Sequence, residues 1–260
     1  MGKTATGQPM RSAERLLQVL GAFSLEHPAR TIGEIAAELQ LAPSTVRRLT
    51  ETLERHGYLC QDAGTGRYSP HFQLIRLAGV AVASFDLIKA AGPVMERLAE
   101  QTGETIELTM RSGANAVVVN SRPSRHSFRL VRPVGTVYPC YRGAAAGKVL
   151  LAWLAEPQLS SLLPAKGVWP GNTPLSITSA PRLMAALRRV RKESYATNDG
   201  ETDSDVWVVA APIRDHDGEV VAALAIPCLA ARVSSSGKRQ LTKLVCAAAE
   251  SLAYSSRMSA

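Results

Sequence analysis

The sequence lacks any uncharged apolar run of about eighteen or more residues, the length that a membrane-spanning helix needs. Residues 1–10 are polar and lack the apolar segment of a secretory signal. The Gly-x-Ser-x-Gly, His-Glu-x-x-His and Gly-x-Gly-x-x-Gly patterns of common enzyme classes are also missing. From these absences we expect a cytoplasmic protein that is not an enzyme.

Cysteine is scarce, and the four cysteines are far apart in the chain. Cys60, Cys140, Cys228 and Cys246 form no Cys-x-x-Cys pair, and no histidine stands beside them at ligand spacing. This spacing predicts neither a zinc site nor a disulfide framework, so we expect buried structural thiols and no cofactor.

Histidine and acidic residues are not arranged as a metal or catalytic site either. The five histidines fall in predicted loops or at helix ends, where a solvated role is expected. An acidic run precedes a predicted strand without the aligned glycine turn of a calcium loop, and it comprises Asp199, Glu201, Asp203 and Asp205. A solvated loop is therefore favoured over a metal site.

Charge and length suggest a partner and a domain count without fixing either. A formal net charge of +8 favours a polyanionic partner, but it also occurs in proteins that only need solubility. Residues 1–80 contain nine basic and seven acidic residues, so bulk charge does not assign DNA to the N-terminal part. A chain of 260 residues with 46% hydrophobic content favours two globular domains.

The first sixty residues show the periodicity of short helices followed by a hairpin. Apolar residues recur at helical spacing over 11–25, Thr31 and Glu34 form a capping box, and Pro43 suits the first position of another helix. A glycine-rich turn at 62–66 then separates two short strand candidates. This order is that of a winged helix-turn-helix, so residues 1–70 are predicted to be a DNA-binding domain.

The predicted recognition helix, 43–56, presents polar and basic side chains on its outer face, which suits insertion into a major groove. The predicted contacts are Ser44, Thr45, Arg47 and Arg48. Arg67 on the wing is expected to meet phosphate. The alternative is a small helical domain for protein contacts, with solvated arginines.

Residues 71–88 form a predicted linker helix that is apolar but too short to span a bilayer. An exposed apolar stripe is costly in a monomer, so a homodimer, or a dimer of dimers, is expected to cover it.

Residues 89–260 alternate between helical and strand patterns. A helix is expected to start near Pro93 and end at Gly103, and strand patterns follow over 104–110 and 116–119. Two further strands, 206–213 and 220–226, flank an Asp-His-Asp-Gly turn, and helices are predicted over 144–154, 181–192 and 237–255. Antiparallel strands among helices predict an α+β sensor-type domain.

The stretch RGAAAGKVLLA, residues 142–152, superficially resembles a phosphate-binding loop. Only three residues separate Gly143 from Gly147, no hydroxyl residue follows Lys148, and Tyr138-Pro139-Cys140 is expected to break any preceding strand. A helix start rich in small residues can still hold a carboxylate through backbone N–H groups, with Lys148 facing outward and Arg142 at the mouth. The alternative is that small residues permit close helix packing.

The order of motifs resembles the IclR family of bacterial transcriptional regulators. The segments that carry this resemblance are RSAERLLQVLGAF, LAPSTVRRLTETLERHGYL, GTGRYSPHFQLIRLA, GAAAGKVLLA and SYATNDGETDSDVWVVAAPIRDHDGEVVAALAI. The resemblance implies a winged helix-turn-helix, a linker helix and a C-terminal GAF-like domain that binds a small effector, usually an organic acid.

The resemblance also implies which residues bind the effector. The loop that offers backbone amides falls on Ala145, Ala146 and Gly147, and the loop that often holds an acidic pocket residue falls on Asn198. Strand positions that often carry Cys or Ser fall on Val208, Ala225 and Pro227.

Those strand positions are apolar here, so a larger aromatic or relatively apolar acid is expected, because a very small acid would lack hydrogen-bond partners. The expected walls are Val206, Val208, Ala225 and the face of Ile106, Leu108 and Met110.

A second basic run comprises Arg122, Arg125, Arg129 and Arg132. A solvated face is favoured over an oligomer or DNA contact. The rival functions are an enzyme of small-molecule metabolism with a GAF-like domain and a protein-interaction module.

Overall fold

The computed structural model describes residues 11–142, 144–164 and 169–253. The chain divides into two compact units at Ser84 and Phe85. The predictions for residues 1–10, for Gly143 and for the last residues of the helix over 237–255 lie outside the described residues. No helix within these ranges is long and apolar enough to cross a membrane.

The first unit has the predicted winged helix-turn-helix architecture. Its elements are α1 (Arg11–Gly21), α2 (Ile32–Leu39), α3 (Pro43–Arg55), β1 (Leu59–Gln61), β2 (Tyr68–Pro70) and α4 (Phe72–Ser84). The capping box forms, because the Thr31 hydroxyl accepts the Glu34 N–H while the Glu34 carboxylate accepts the Thr31 N–H at 2.7 Å. Gln40 then adopts a left-handed φ of 53°, which ends α2 and turns the chain into α3.

The core of this unit is small, and α4 takes no part in it. The buried apolar residues come from α1, α2, α3 and the hairpin, and they include Val19, Ile35, Val46, Leu53, Leu59 and Tyr68. No residue of α4 is buried within the described part of the chain.

The second unit is built on an antiparallel sheet whose strand order, in the described residues, is β5-β4-β3-β8-β7-β6. The strands are β3 (Ile106–Ser112), β4 (Asn115–Arg122), β5 (Val137–Pro139), β6 (Ala196–Asp199), β7 (Val206–Arg214) and β8 (Val220–Leu229). The helices are α5 (Asp86–Thr102), α6 (Ala145–Ala152), α7 (Glu156–Leu162), α8 (Ala180–Glu193) and α9 (Ser235–Ala253). The predicted α+β class with an antiparallel sheet is confirmed.

Helices cover both faces of this sheet, so β7 and β8 read as nearly continuous apolar runs rather than as alternating ones. Helices α5 and α9 pack on one face over Trp207, Val209 and Leu224. Helices α6 and α8 pack on the other face, over Val208 and Ala225. Successive residues of a strand point to opposite faces, and this period of two decides which side chains can share a site.

Three local expectations were wrong. Pro93 lies inside α5, which begins one residue after Phe85. Residues 137–139 form a short strand that pairs with β4, where a strand break was expected, and Pro139 is tolerated because it ends an edge strand. Helix α7 was not predicted at all. The predicted linker range 71–88 contains the whole of α4 and the start of α5.

Candidate functional site

The outer face of α3 presents two adjacent arginines. Val46, Thr50 and Leu53 face the core, which leaves Ser44, Arg47 and Arg48 exposed and Thr45 half-buried. Neither Arg47 nor Arg48 forms an ion pair with any residue that the structure describes. Both guanidinium groups can therefore receive phosphate or base-edge acceptors.

A groove of about 340 Å³ runs between α1 and α3. Its lining comprises Ser12, Arg15, Leu16, Thr45, Arg48, Leu49 and Thr52. Thr45 and Arg48 of the recognition helix therefore line one groove together with Arg15 of α1. The sequence prediction omitted Arg15, although the position of this residue on the polar side of an amphipathic helix was a usable signal.

Arg67 on the wing is engaged by the protein itself. Its guanidinium donates to both oxygens of Glu34, with Nη2 2.6 Å from Oε1. The same Glu34 carboxylate completes the capping box of α2, and the hydrogen bond from the Thr31 N–H is the main cause of its lowered pKa. A phosphate contact by Arg67 therefore has to compete with Glu34, which the sequence prediction did not include.

The helix start at α6 is tightly packed. Ala145 and Ala146 are buried beneath the sheet face that α6 covers. A Cβ atom at Gly147 would overlap the carbonyl oxygen of Cys140 and come within 3.0 Å of the Cys140 Cα atom. Close packing, the alternative reading of this stretch, thus accounts for the glycine.

Lys148 was expected to face outward, and this expectation was wrong. Its residue is only 3% exposed, and Nζ donates to the carbonyl oxygen of Thr197 at 2.6 Å and to the Glu201 carboxylate. Burial lowers the pKa of Lys148, and Glu201 opposes that effect. Glu201 is accordingly a structural anchor, not a member of a solvated acidic run.

Asn198 is fully buried and holds the following loop, 200–205. Its Oδ1 accepts the Glu201 N–H at 2.8 Å, and its Nδ2 donates to the Thr202 hydroxyl at 2.5 Å. Both polar ends of the side chain are thus used within the loop.

A cavity of about 280 Å³ lies on the sheet face that α6 covers. It is lined by Glu107, Leu130, Val131, Arg132, Thr202, Asp203, Val206 and Pro227. Two predicted effector residues, Val206 and Pro227, meet here. Ala145, Ala146, Val208 and Ala225 belong to the apolar layer of the same face and do not line this cavity.

The expected wall of Ile106, Leu108 and Met110 was wrong. Ile106 and Leu108 lie in the core under α5 and α9, and Met110 packs against it. Strand pairing places Glu107 opposite Ala225, and Ala225 opposite Ala210, so these side chains share the α6 face. The prediction followed the apolar residues of β3, whereas Glu107 of the same strand lines the cavity.

Glu107 forms a buried ion pair with Arg132. The Glu107 residue is 1% exposed, its Oε2 accepts Nη1 of Arg132 at 3.1 Å, and its Oε1 accepts the Arg132 backbone N–H at 3.3 Å. Burial raises the pKa of Glu107, and Arg132 opposes the shift. The sequence signal that could have identified this site is a glutamate, Glu107, between the apolar strand residues Ile106 and Leu108.

The second basic run was expected to be a solvated face, but most of its arginines form ion pairs. Besides the Arg132 pair, Arg122 lies 3.0 Å from the Glu96 carboxylate and Arg125 lies 3.7 Å from Glu100. Three of its members therefore join the strand and loop to the surrounding elements.

Two family models match the chain. Residues 79–254 match the model described as "Bacterial transcriptional regulator IclR C-terminal", and residues 12–63 match the "IclR helix-turn-helix domain". The chain belongs to the IclR family.

Similar proteins share most of the length of this IclR-family chain. The HTH-type transcriptional regulator XynR of Escherichia coli strain K12 is 31% identical over 227 residues, 87% of this chain and 89% of the relative. A crystal structure of an IclR transcriptional regulator from Silicibacter sp. TM1040 has a TM-score of 0.82 at 25% identity, covering 94% of this chain and 95% of that one. A structure of an IclR homologue from Microbacterium hydrocarbonoxydans, complexed with 4-hydroxybenzoate, has a TM-score of 0.80 at 21% identity, covering 95% and 100%.

This membership establishes the general function. The IclR-family chain is a DNA-binding transcriptional regulator with a C-terminal effector domain. The named relatives are regulators, so the enzyme alternative has no support.

The cysteines of this regulator are free, as far as the described residues show. Cys140 and Cys228 are buried, whereas Cys60 and Cys246 are half-buried, so the expectation of buried thiols was wrong for two of them. Burial raises the pKa of Cys140 to about 12. Groups of His, Cys, Asp or Glu that could hold a metal ion are not found in the described ranges.

Proposed function

We propose that this IclR-family regulator binds its operator through the outer face of α3, with Ser44, Thr45, Arg47 and Arg48 at the major groove. The observation that carries this proposal is that Arg47 and Arg48 are exposed and form no ion pair with any described residue, on a helix that is fixed by a buried core. Because DNA is the partner, we also propose that the protein acts in the cytoplasm.

The test begins with sequencing of the DNA that the purified full chain captures. Binding of that operator is then measured by fluorescence anisotropy at several salt concentrations. Arg47→Ala is expected to weaken operator binding by about 1–3 kcal/mol and to relax base preference at one position. Arg67→Ala is expected mainly to change the salt dependence, because a wing arginine contacts phosphate and not a base.

Arg55→Ala provides a matched control, since Arg55 is an exposed arginine at the last turn of the same helix. Equal small effects of Arg47→Ala, Arg67→Ala and Arg55→Ala on every DNA sequence would contradict the assignment.

We further propose that the cavity beside Glu107 and Arg132 binds a small organic acid with an aromatic or relatively apolar body, and that this effector modulates operator binding. The cavity size, the apolar lining by Val206 and Pro227, and the cationic Arg132 support this proposal. The complex of the Microbacterium homologue with 4-hydroxybenzoate is consistent with it.

The remaining predicted effector residues lie outside the lining of this cavity. Backbone N–H groups at the start of α6, from Ala145, Ala146 and Gly147, remain candidate donors to a carboxylate. Val208 and Ala225 contribute the apolar layer, and Asn198 holds the loop that carries Thr202.

Calorimetry with 4-hydroxybenzoate, benzoate, glyoxylate and pyruvate tests the effector class. Stronger binding of the aromatic acids is expected, because glyoxylate and pyruvate have little apolar surface to bury. Tight binding of glyoxylate or pyruvate, together with no binding of the aromatic acids, would contradict the proposal.

A further inference from the structure

The polar pair in the effector cavity constrains the ligand more narrowly than its overall size does. The Glu107 carboxylate is fixed by the side chain and the backbone N–H of Arg132. Both contacts come from N–H donors, so Glu107 acts as an acceptor here, and they use two of the about four acceptor positions of a carboxylate. A ligand group that faces Glu107 must therefore donate a hydrogen bond.

Arg132 requires the opposite kind of hydrogen-bonding group in a ligand. Its guanidinium is held between Glu107 and the ring of Tyr138, with 5.2 Å from Cζ to the ring centroid. Burial raises the pKa of Tyr138 to about 12, so the ring that contacts the guanidinium stays neutral. A guanidinium carries five N–H donors, and Nη1 contributes the side-chain hydrogen bond that this structure gives Arg132. A ligand group that faces Arg132 must therefore accept hydrogen bonds.

We propose that Glu107 and Arg132 together select 2-hydroxy acids that carry an apolar substituent. The two protein groups are in direct contact, with 3.1 Å from Nη1 to Oε2, so a ligand that meets both needs its donor and its acceptor close together. A hydroxyl on the carbon next to a carboxylate meets this requirement, with the O–H donating to Glu107 and the carboxylate accepting from Arg132. The inference rests on the proposed effector function of the cavity.

The rest of the lining limits the substituent. Leu130, Val131, Val206 and Pro227 supply apolar surface to the cavity of about 280 Å³, and Thr202 and Asp203 complete its lining beside the ion pair. A phenyl or branched alkyl group next to the hydroxy acid fits this space. Mandelate and 2-hydroxy-4-methylpentanoate are suitable probes.

Each probe has a partner that differs by one hydroxyl. Calorimetry of the full chain with mandelate against phenylacetate, and with 2-hydroxy-4-methylpentanoate against 4-methylpentanoate, measures the contribution of that group. Each hydroxy acid is expected to bind at least about tenfold more tightly, because its hydroxyl makes a charge-assisted hydrogen bond to the buried Glu107 carboxylate.

Glu107→Gln should reduce this preference to a few-fold, since a neutral acceptor makes a weaker hydrogen bond than a carboxylate. Glu104→Gln is the matched control: Glu104 is also buried and bonded by an arginine, Arg232, but it lines a different cavity. It should keep the wild-type preference. If Glu107→Gln does not fold, Arg132→Lys replaces it, and this variant should weaken both members of each pair because a lysine has a single nitrogen and lacks the fixed fork of a guanidinium.

The outcomes separate the two levels of the proposal. Acid binding without a hydroxyl preference, or a preference that Glu107→Gln leaves intact, overturns the selectivity of Glu107 and keeps the effector function. Failure of the wild type to bind any probe or 4-hydroxybenzoate contradicts the effector function itself.

Discussion

Gly147 lies where the start of α6 comes closest to the backbone of Cys140, and this contact explains its lack of a side chain. Lys148 next to it ties α6 to the cavity loop through Thr197 and Glu201. Neighbouring residues of one motif thus have packing and positioning roles that the sequence pattern alone does not separate.

Gly147→Ala is expected to lower the free energy of unfolding by about 1–3 kcal/mol or more, because the added methyl group overlaps backbone atoms that cannot rotate away. Thermal or urea denaturation measures the change. Gly92→Ala is the matched control: its new Cβ would lie 3.7 Å from the nearest atom, Nη2 of Arg122. It should be neutral or stabilise α5 by about 0.5–1 kcal/mol, and a Gly147→Ala variant as stable as wild type would contradict the packing account.

The thiol groups should differ in reactivity with a disulfide reagent. Cys140, with a pKa of about 12, remains almost wholly protonated at pH 9 and should not react in the folded protein. Burial raises the pKa of Cys228 and of Cys246 as well, but Cys246 and Cys60 are only half-buried, so these two thiols should react before the two buried ones. Mass mapping of modified peptides checks this order, and Cys60→Ser should remove one of the early sites. Modification of Cys140 before unfolding would count against its buried position.

Helix α4 is the element with the least explained surface. Its exposed apolar side chains include Phe72, Ile75, Leu77, Val80 and Val82. Exposed apolar side chains in this number on one helix mark an interaction site, and we propose that a second copy of the chain covers them.

Ile75→Glu should weaken self-association, because the 68% exposed Ile75 would place a charge in the proposed dimer contact. Light scattering at micromolar concentration is expected to give a dimer or tetramer for wild type and a smaller species for the variant. Arg76→Glu, which alters an exposed polar neighbour on the same helix, should have a smaller effect. A monomeric wild-type chain would refute the dimer.

Regulation by an effector requires that the two ligand sites be coupled. If an acid changes operator affinity by some factor, the operator must change the affinity for that acid by the same factor, because linkage is reciprocal. We propose that the effector shifts the spacing of two winged units and thus their fit to the half-sites.

This coupling predicts equal ratios in two measurements. Operator binding is measured with and without mandelate, and mandelate binding is measured with and without operator DNA. The two ratios should agree when they are measured at saturating mandelate and operator, and Glu107→Gln should raise the mandelate concentration that is needed to change operator binding. If mandelate binds without altering operator affinity, the cavity does not regulate operator binding, and the proposed coupling is wrong.

The winged unit could be predicted from sequence because its signals are local. The capping box at Thr31 and Glu34, Pro43 at the start of α3 and the glycine-rich turn each act within a few residues. The cavity could not be predicted in the same way. Glu107 and Arg132 are 25 residues apart in the chain, and their pairing depends on how β3 and the loop after β4 come together.

The sequence by itself determined the family, the α+β architecture and the outer face of α3, because helical periodicity, capping and motif order depend on near neighbours. Only the tertiary structure decided which face of β3 meets the cavity, that Lys148 is buried, and that Glu34 already binds Arg67. The physical reason is that burial and ion pairing depend on strand register and on contacts between distant residues, and a shift of one position in a strand exchanges one face for the other.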